Sequence, residues 1–173
     1  RRAAAILNDS KYGISADGGR MSLTALKASA SPARKADRGV QKFTYSFMPV
    51  EGAFVDSDVI RKAYELNCPV SVCGGYSEEK SMLTLSCDNI IADTVKQAED
   101  GSGNVVIRLY ESKKTRTSCE IKLNFEIEKA YLTDMLEENP QEIATCGSVI
   151  KLDFRAFEVK TLKIIKKYEE DTK

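Results

Sequence analysis

The chain has 173 residues, with 26 basic side chains balanced by 26 acidic ones, and 42% of its residues are hydrophobic. That composition suits one medium or two small folded domains with a well-solvated surface, and zero net charge leaves no single-sign field to draw in nucleic acid or an anionic membrane surface. No apolar stretch approaches the roughly 20 residues of a membrane-spanning helix.

The chain opens on an apolar run, Ala3-Ala4-Ala5-Ile6-Leu7, that flows into the polar turn Asn8-Asp9-Ser10 and on to Lys11-Tyr12-Gly13-Ile14. No initiator Met and no lead-in precede it, so the start reads as a cut into a β domain of something larger. Asn8-Asp9-Ser10 also spells a glycosylation tripeptide, which is read as chance. Residues 20–26 alternate with period two and predict a half-buried strand. Residues 27–35, small and polar around Pro32, predict a loop. Residues 41–48 predict a strand with Phe43, Tyr45 and Phe47 on one face, ended by Pro49. Val59, Ile60, Ala63, Tyr64 and Leu66 make a helical stripe over residues 59–67. Asp56 or Ser57 is expected to cap it, and Asn67 and Pro69 to stop it. Residues 70–80, with Gly74-Gly75 and a charged stretch, read as a linker and domain boundary.

After that boundary the sequence reads almost entirely as strands. They are expected at residues 82–86, 89–98, 104–111, 118–126, 129–136, 148–154 and 157–165, with residues 93–97 open to a helical reading. Glu99-Asp100-Gly101-Ser102-Gly103 is a hairpin turn signal, and Lys113-Lys114-Thr115-Arg116 is a second turn. In the last strand Phe157, Val159, Thr161 and Leu162 are available for burial. Residues 166–173 are charged and read as a frayed tail. Short strands at regular spacing predict an all-β chain with a β-sandwich and one short helix. The expected domains are residues 1–76 and 77–173.

No histidine occurs. This excludes a Ser-His-Asp triad, a Cys-His pair and any histidine-containing zinc site within the chain. Five cysteines at irregular spacing (Cys68, Cys73, Cys87, Cys119, Cys146) argue for reduced, buried packing thiols rather than a disulfide framework, and hence for a cytoplasmic home. The basic clusters Arg1-Arg2 and 113–116 read as solvated turns, and the acidic clusters 56–58 and 137–138 as capping or solvated groups. Asp37-Arg38-Gly39 lies in a loop just before the aromatic strand, where a guanidinium could donate paired hydrogen bonds to sugar hydroxyls.

Several stretches occur in one order: 7–13, Ala36-Asp37-Arg38-Gly39 running into Phe43-Thr44-Tyr45, Ala63-Tyr64-Glu65-Leu66-Asn67, Asp93-Thr94-Val95-Lys96 with Ala98-Glu99-Asp100, Arg108-Leu109-Tyr110-Glu111, and Phe154-Arg155-Ala156-Phe157-Glu158-Val159-Lys160-Thr161-Leu162. Together they resemble the C-terminal end of glycoside hydrolase family 38, the α-mannosidases, over nearly the whole chain. The bacterial and cytosolic branch is the more similar. The resemblance implies a parent built from an α/β barrel, a helical segment and C-terminal β domains. Such an enzyme hydrolyses α-mannosides with retention, using an aspartate nucleophile, an acid/base aspartate and a zinc ion held by histidines and aspartates. Those motifs are absent here, so the resemblance implies zinc and catalytic residues in upstream domains and none in this chain.

The resemblance also implies that Arg38-Gly39, preceded by Asp37, stands where an Arg-Gly pair of the lysosomal and Golgi branch reaches the sugar. Many bacterial relatives carry His two residues after this glycine, where Gln41 stands here. The chain is thus expected to end a large β domain and then form a smaller C-terminal sandwich. It would buttress the catalytic barrel and helical domain, meet mannoside through the parent, and bind neither nucleic acid nor membrane. Phe43, Tyr45 and Phe47 are expected to leave apolar surface exposed, with homo-oligomerisation or a swapped dimer as one remedy. The alternative is a stand-alone carbohydrate-binding or structural module, against which the lack of tryptophan counts.

Overall fold

The computed structural model describes residues 2–167 apart from Ala30, Arg34, Asp37 and Ser77. It divides into two compact units, Arg1–Gly74 and Gly75–Lys173.

The first unit contains β1 (Arg2–Asn8), β2 (Ile14–Asp17), β3 (Arg20–Leu23), β4 (Tyr45–Glu51), a short 3-10 turn (Phe54–Asp56) and α1 (Val59–Asn67). β1 and β4 form an antiparallel ribbon, and β2 pairs with β3 in a hairpin. Side chains directly opposite in such a ribbon share a face. Leu7, Ala5, Met48 and Val50 therefore fall together, and they pack against Val59, Ala63 and Leu66 of α1. The opposite face carries Tyr45 and Phe47, which are 63% and 64% exposed.

Two local expectations are corrected in this unit. The aromatic strand begins later and continues through Pro49 to Glu51. Asp9 donates its N–H to Thr44 O (3.2 Å), which makes that pair hydrogen-bonded. Alternation along the ribbon then makes the Ala4–Pro49 pair non-hydrogen-bonded. The N–H that proline lacks would have pointed to the outer edge, so the ladder passes it intact. The N-cap of α1 is Asp58, without a side-chain capping bond. Asp56 is taken up by the 3-10 turn, while Ser57 Oγ donates back to Phe54 O (2.6 Å) and also accepts the first helical amide, Val59 N–H (3.5 Å), so the expected cap by Ser57 is present and the one by Asp56 is not. At the other end Asn67 closes the helix as expected, its amide donating to Ala63 O (2.9 Å) and Asn8 O (3.2 Å).

The second unit is an antiparallel β-sandwich of β5 (Leu83–Leu85), β6 (Ile90–Gln97), β7 (Val105–Glu111), β8 (Thr117–Leu123), β9 (Ile127–Thr133), β10 (Gln141–Ile143), β11 (Thr145–Cys146), β12 (Val149–Phe154) and β13 (Val159–Lys166). One sheet runs β10-β9-β13-β7-β6 and the other β11-β12-β8-β5. Ile107, Leu109, Leu162 and Ile164 from the first sheet meet Cys119, Ile121, Ile150 and Phe154 from the second in one buried core. Alternation drives this, since β8 reads buried at Cys119, Ile121 and Leu123 and exposed between them.

The outer face of the larger sheet is also covered. Val106 is fully buried there between its register partners Lys96 and Lys163. Lys96 pairs with Glu99 and Glu137, and Lys163 with Asp100. Arg108 donates to Met135 O (3.1 Å), tying the loop after β9 across this face. Residues 93–97 are strand, with a bulge at Asp93. Phe157 and Val159 are 60% and 47% exposed, against the expected burial, because Phe157 sits in the turn before β13. Of the expected tail, Lys166 closes β13 and Lys167 N–H donates to Glu126 O (3.0 Å). Residues 168–173 lie outside the described residues.

Beneath one end of the sandwich core lies a fully buried carboxylate, Glu111. Oε1 accepts from Asn89 Nδ2 (3.0 Å) and Lys113 N–H (2.7 Å), and Oε2 accepts from Phe157 N–H (2.9 Å). Asn89 also donates to Thr117 Oγ1 (2.6 Å). Ser112 donates through both N–H and Oγ to Asn89 O (2.9 Å each). Burial pushes the Glu111 carboxyl up, but the bonds from Phe157, Asn89, Lys113 and Thr115 together outweigh it and hold the group below the usual glutamate range. A carboxamide in its place must turn an NH2 toward at least one of these donors. Glu111→Gln is therefore expected to lower stability by about 2 kcal/mol at neutral pH, measured by urea denaturation. Because the folded-state pKa is lowered, the carboxylate's contribution is complete above the unfolded value, about 4.3. It is lost as pH falls through the folded value, so the gap between wild type and variant should narrow in acid.

Phe157 holds its bond to Glu111 from φ 57°, a left-handed conformation costly to a bulky residue. Glu158 N–H donates to Arg155 O (3.1 Å), so Phe157 is the third residue of a turn that favours glycine there. Phe157→Gly keeps the N–H and is expected to raise stability by about 0.5–1 kcal/mol in the same assay.

Candidate functional site

The candidate site is the loop that joins β3 to β4, and its end is fastened by the turn near the start of the chain. Asn8 Oδ1 accepts Lys11 N–H (2.7 Å), and Asp9 Oδ2 accepts Thr44 N–H (3.0 Å). Asx side chains favour such backbone-binding turns. The Thr44 N–H, with the Ser10 hydroxyl, holds the Asp9 carboxyl below its usual range. Lys11 Nζ lies 4.9 Å from the centre of the Phe43 ring, which stacks toward Tyr45 at 6.4 Å. The loop is thus fixed at Phe43 and Thr44, a few residues beyond Arg38 and Gly39.

Arg38 and Gly39 are both exposed. Gly39 has φ 111°, a conformation that residues with a Cβ avoid. No hydrogen bond or ion pair holds the Arg38 guanidinium among the described residues. Asp37, the third candidate, lies outside the described residues. The described part of the loop presents a cation in solvent. A guanidinium there can donate to sugar hydroxyls or a carboxylate. It supplies no nucleophile.

The cysteine expectation is corrected in part. All five are free thiols, but Cys68, Cys73 and Cys146 are exposed, and only Cys119 is fully buried. Cys68 is the C-cap of α1 and Cys73 lies in the segment after it, outside any helix or strand. Among the described residues no cluster of three or more His, Cys, Asp and Glu side chains could hold a metal ion. With no histidine in the sequence, the residues present do not fit the zinc ion that the resemblance implies for the parent. No helix among the described residues is long and apolar enough to cross a membrane.

Sequence reasoning missed Glu111 and Asn89. The signal was present: Glu111 continues the inward alternation of Val105, Ile107 and Leu109, so a carboxylate was due to point into the core.

Comparison with known proteins agrees with this architecture. The family described as "Glycosyl hydrolases family 38 C-terminal beta sandwich domain" matches residues 89–162, within the second unit. The chain is 35% identical to alpha-mannosidase 2C1 of Homo sapiens over 169 residues, covering 93% of this chain and 16% of that protein. It is 33% identical to alpha-mannosidase G of Dictyostelium discoideum over 171 residues, with the same coverage. It is 28% identical to an alpha-mannosidase of Saccharomyces cerevisiae over 157 residues, 79% of this chain and 14% of that protein. The chain therefore spans about one sixth of the length of these relatives. The family match across the sandwich and the similarity to alpha-mannosidases running through both units place this chain with the C-terminal region of the family 38 α-mannosidases.

Proposed function

We propose that the chain works as a non-catalytic part of a larger, cytoplasmic α-mannosidase that hydrolyses α-mannosides with retention and uses zinc. Its role is to buttress the catalytic barrel and helical domain and to set Arg38, with Asp37 and Gly39, against the mannoside. The observation that carries this reading is the bare ribbon face of Tyr45 and Phe47, with Arg38 exposed in the loop that leads into the same strand. An apolar face of that kind suits contact with another domain. The short span of the relatives that the chain covers supplies the candidate, namely the rest of the enzyme. The nucleophile, the acid/base group and the zinc ligands would then reside outside this chain.

A charged hydrogen bond to substrate contributes about 1.5–3 kcal/mol. In the full-length enzyme Arg38→Ala is expected to lower kcat/KM on an aryl α-mannoside roughly 10- to 100-fold, with Arg38→Lys recovering part of the loss. An unchanged kcat/KM would remove Arg38 from the substrate site. Hydrolysis by the isolated 173-residue chain would refute the non-catalytic assignment. Saturable mannoside binding by the isolated chain in calorimetry would favour a stand-alone binding module instead.

A further inference from the structure

The edge of the smaller sheet places two cysteines opposite each other. β5 pairs with β8 in the register Leu83↔Leu123, Thr84↔Lys122, Leu85↔Ile121. The ladder runs one step further, because Ser86 N–H donates to Glu120 O (3.0 Å). Cys87 therefore stands opposite Cys119. Both point to the same side as Leu85 and Ile121, into the core.

At Ser86 the ladder closes: its N–H reaches Glu120 O, but Glu120 N–H turns to Ser86 Oγ, so Cys87 follows the last rung at the level of Cys119. Neighbouring antiparallel strands hold facing Cα atoms about 4.5–5.5 Å apart, within the span a disulfide bridges, about 4.4–6.8 Å. Both thiols lie around one hydroxyl. Ser86 Oγ links them, lying 3.5 Å from Cys87 Sγ and 3.8 Å from Cys119 Sγ, and donating to the latter. That hydroxyl is itself held, since it accepts Glu120 N–H (2.8 Å). The two sulfurs differ in access. Cys119 is buried, while Cys87 is half-buried at the edge strand, with its thiol on Ser118 O (3.3 Å).

We propose that Cys87 and Cys119 form a two-thiol modification site, which a low-molecular-weight disulfide converts reversibly into a cross-strand disulfide. The Cys87 thiolate attacks one sulfur of the small disulfide. A mixed disulfide forms and one small thiolate leaves. The Cys119 thiolate then attacks Cys87 Sγ, the intramolecular S–S bond forms and the second small thiolate leaves. The two protons lost by the cysteines end on the two released thiolates. The protein dithiol is oxidised by two electrons and the small disulfide is reduced to two thiols. Burial pushes the Cys119 thiol up and the Ser86 hydroxyl opposes this, so Cys119 suits the second, intramolecular attack better than the first. The bond would stitch the three-residue edge strand β5 to β8 and close a loop of roughly 30 residues. This inference stands whether or not the chain supports a mannosidase barrel.

The test uses the full 173-residue chain with the exposed thiols removed (Cys68→Ser, Cys73→Ser, Cys146→Ser), incubated folded with oxidised glutathione. The expected result is loss of both remaining thiols and a mass lower by two hydrogen atoms. Peptides bearing Cys87 and Cys119 should be linked, and the thermal midpoint should rise by roughly 10 °C, reversed by dithiothreitol. Adding Cys87→Ser, at the half-buried position, should leave Cys119 unreacted in the folded chain. A lasting glutathione adduct on Cys87 with Cys119 still a free thiol would overturn the proposal. So would two unreacted thiols in the folded protein.

Discussion

The sandwich depends on an ionised carboxylate in a place that offers it no water. Glu111 ends β7, an inner strand of the larger sheet, fully buried, and it is tolerated because backbone N–H groups converge on it. A lone buried charge would cost several kcal/mol. Here the cost is offset by donors that would otherwise be unpaired at chain reversals. Lys113 lies in the turn leaving β7, Phe157 in the turn between β12 and β13, and Asn89 just ahead of β6. The β12–β13 turn passes from one sheet to the other, so a single side chain fixes how the two sheets meet at that end. The strain in Phe157 has the same origin, since its left-handed backbone aims an N–H at the carboxylate.

Much of this architecture was legible because alternation is a strong signal where one face is dry. β8 and β12 show the pattern plainly, and the charged turns between strands sit where glycine and lysine clusters predicted them. What was not legible depended on partners distant in sequence. Pro49 reads as a strand terminator until its hydrogen-bonding phase against β1 is known, and that phase is set by Asp9 and Thr44, 35 residues apart. Phe157 reads as a core aromatic because hydrophobicity alone cannot show that its backbone amide matters more than its ring. The short strands β10 and β11 carry too few residues to show a period at all.

The candidate site was legible only through resemblance. Nothing in the spacing of Asp37-Arg38-Gly39 distinguishes it from an ordinary surface turn. The structure adds a fixed far end of the loop and a glycine-only backbone at Gly39. The cysteines show the converse limit. Their count argues sensibly against a disulfide framework, yet only strand register reveals that two of the five face each other.

Pro49 has a consequence beyond its own strand. A two-stranded ribbon has two open edges, and a strand bearing exposed Tyr45 and Phe47 offers an incoming chain both a backbone ladder and an apolar face. Fibrillar growth by strand addition needs that ladder to be continuous. The missing donor of Pro49 falls on the outer edge of β4, so it interrupts the template where another molecule would dock. The ribbon can thus carry an exposed apolar face while remaining a poor seed for its own polymerisation.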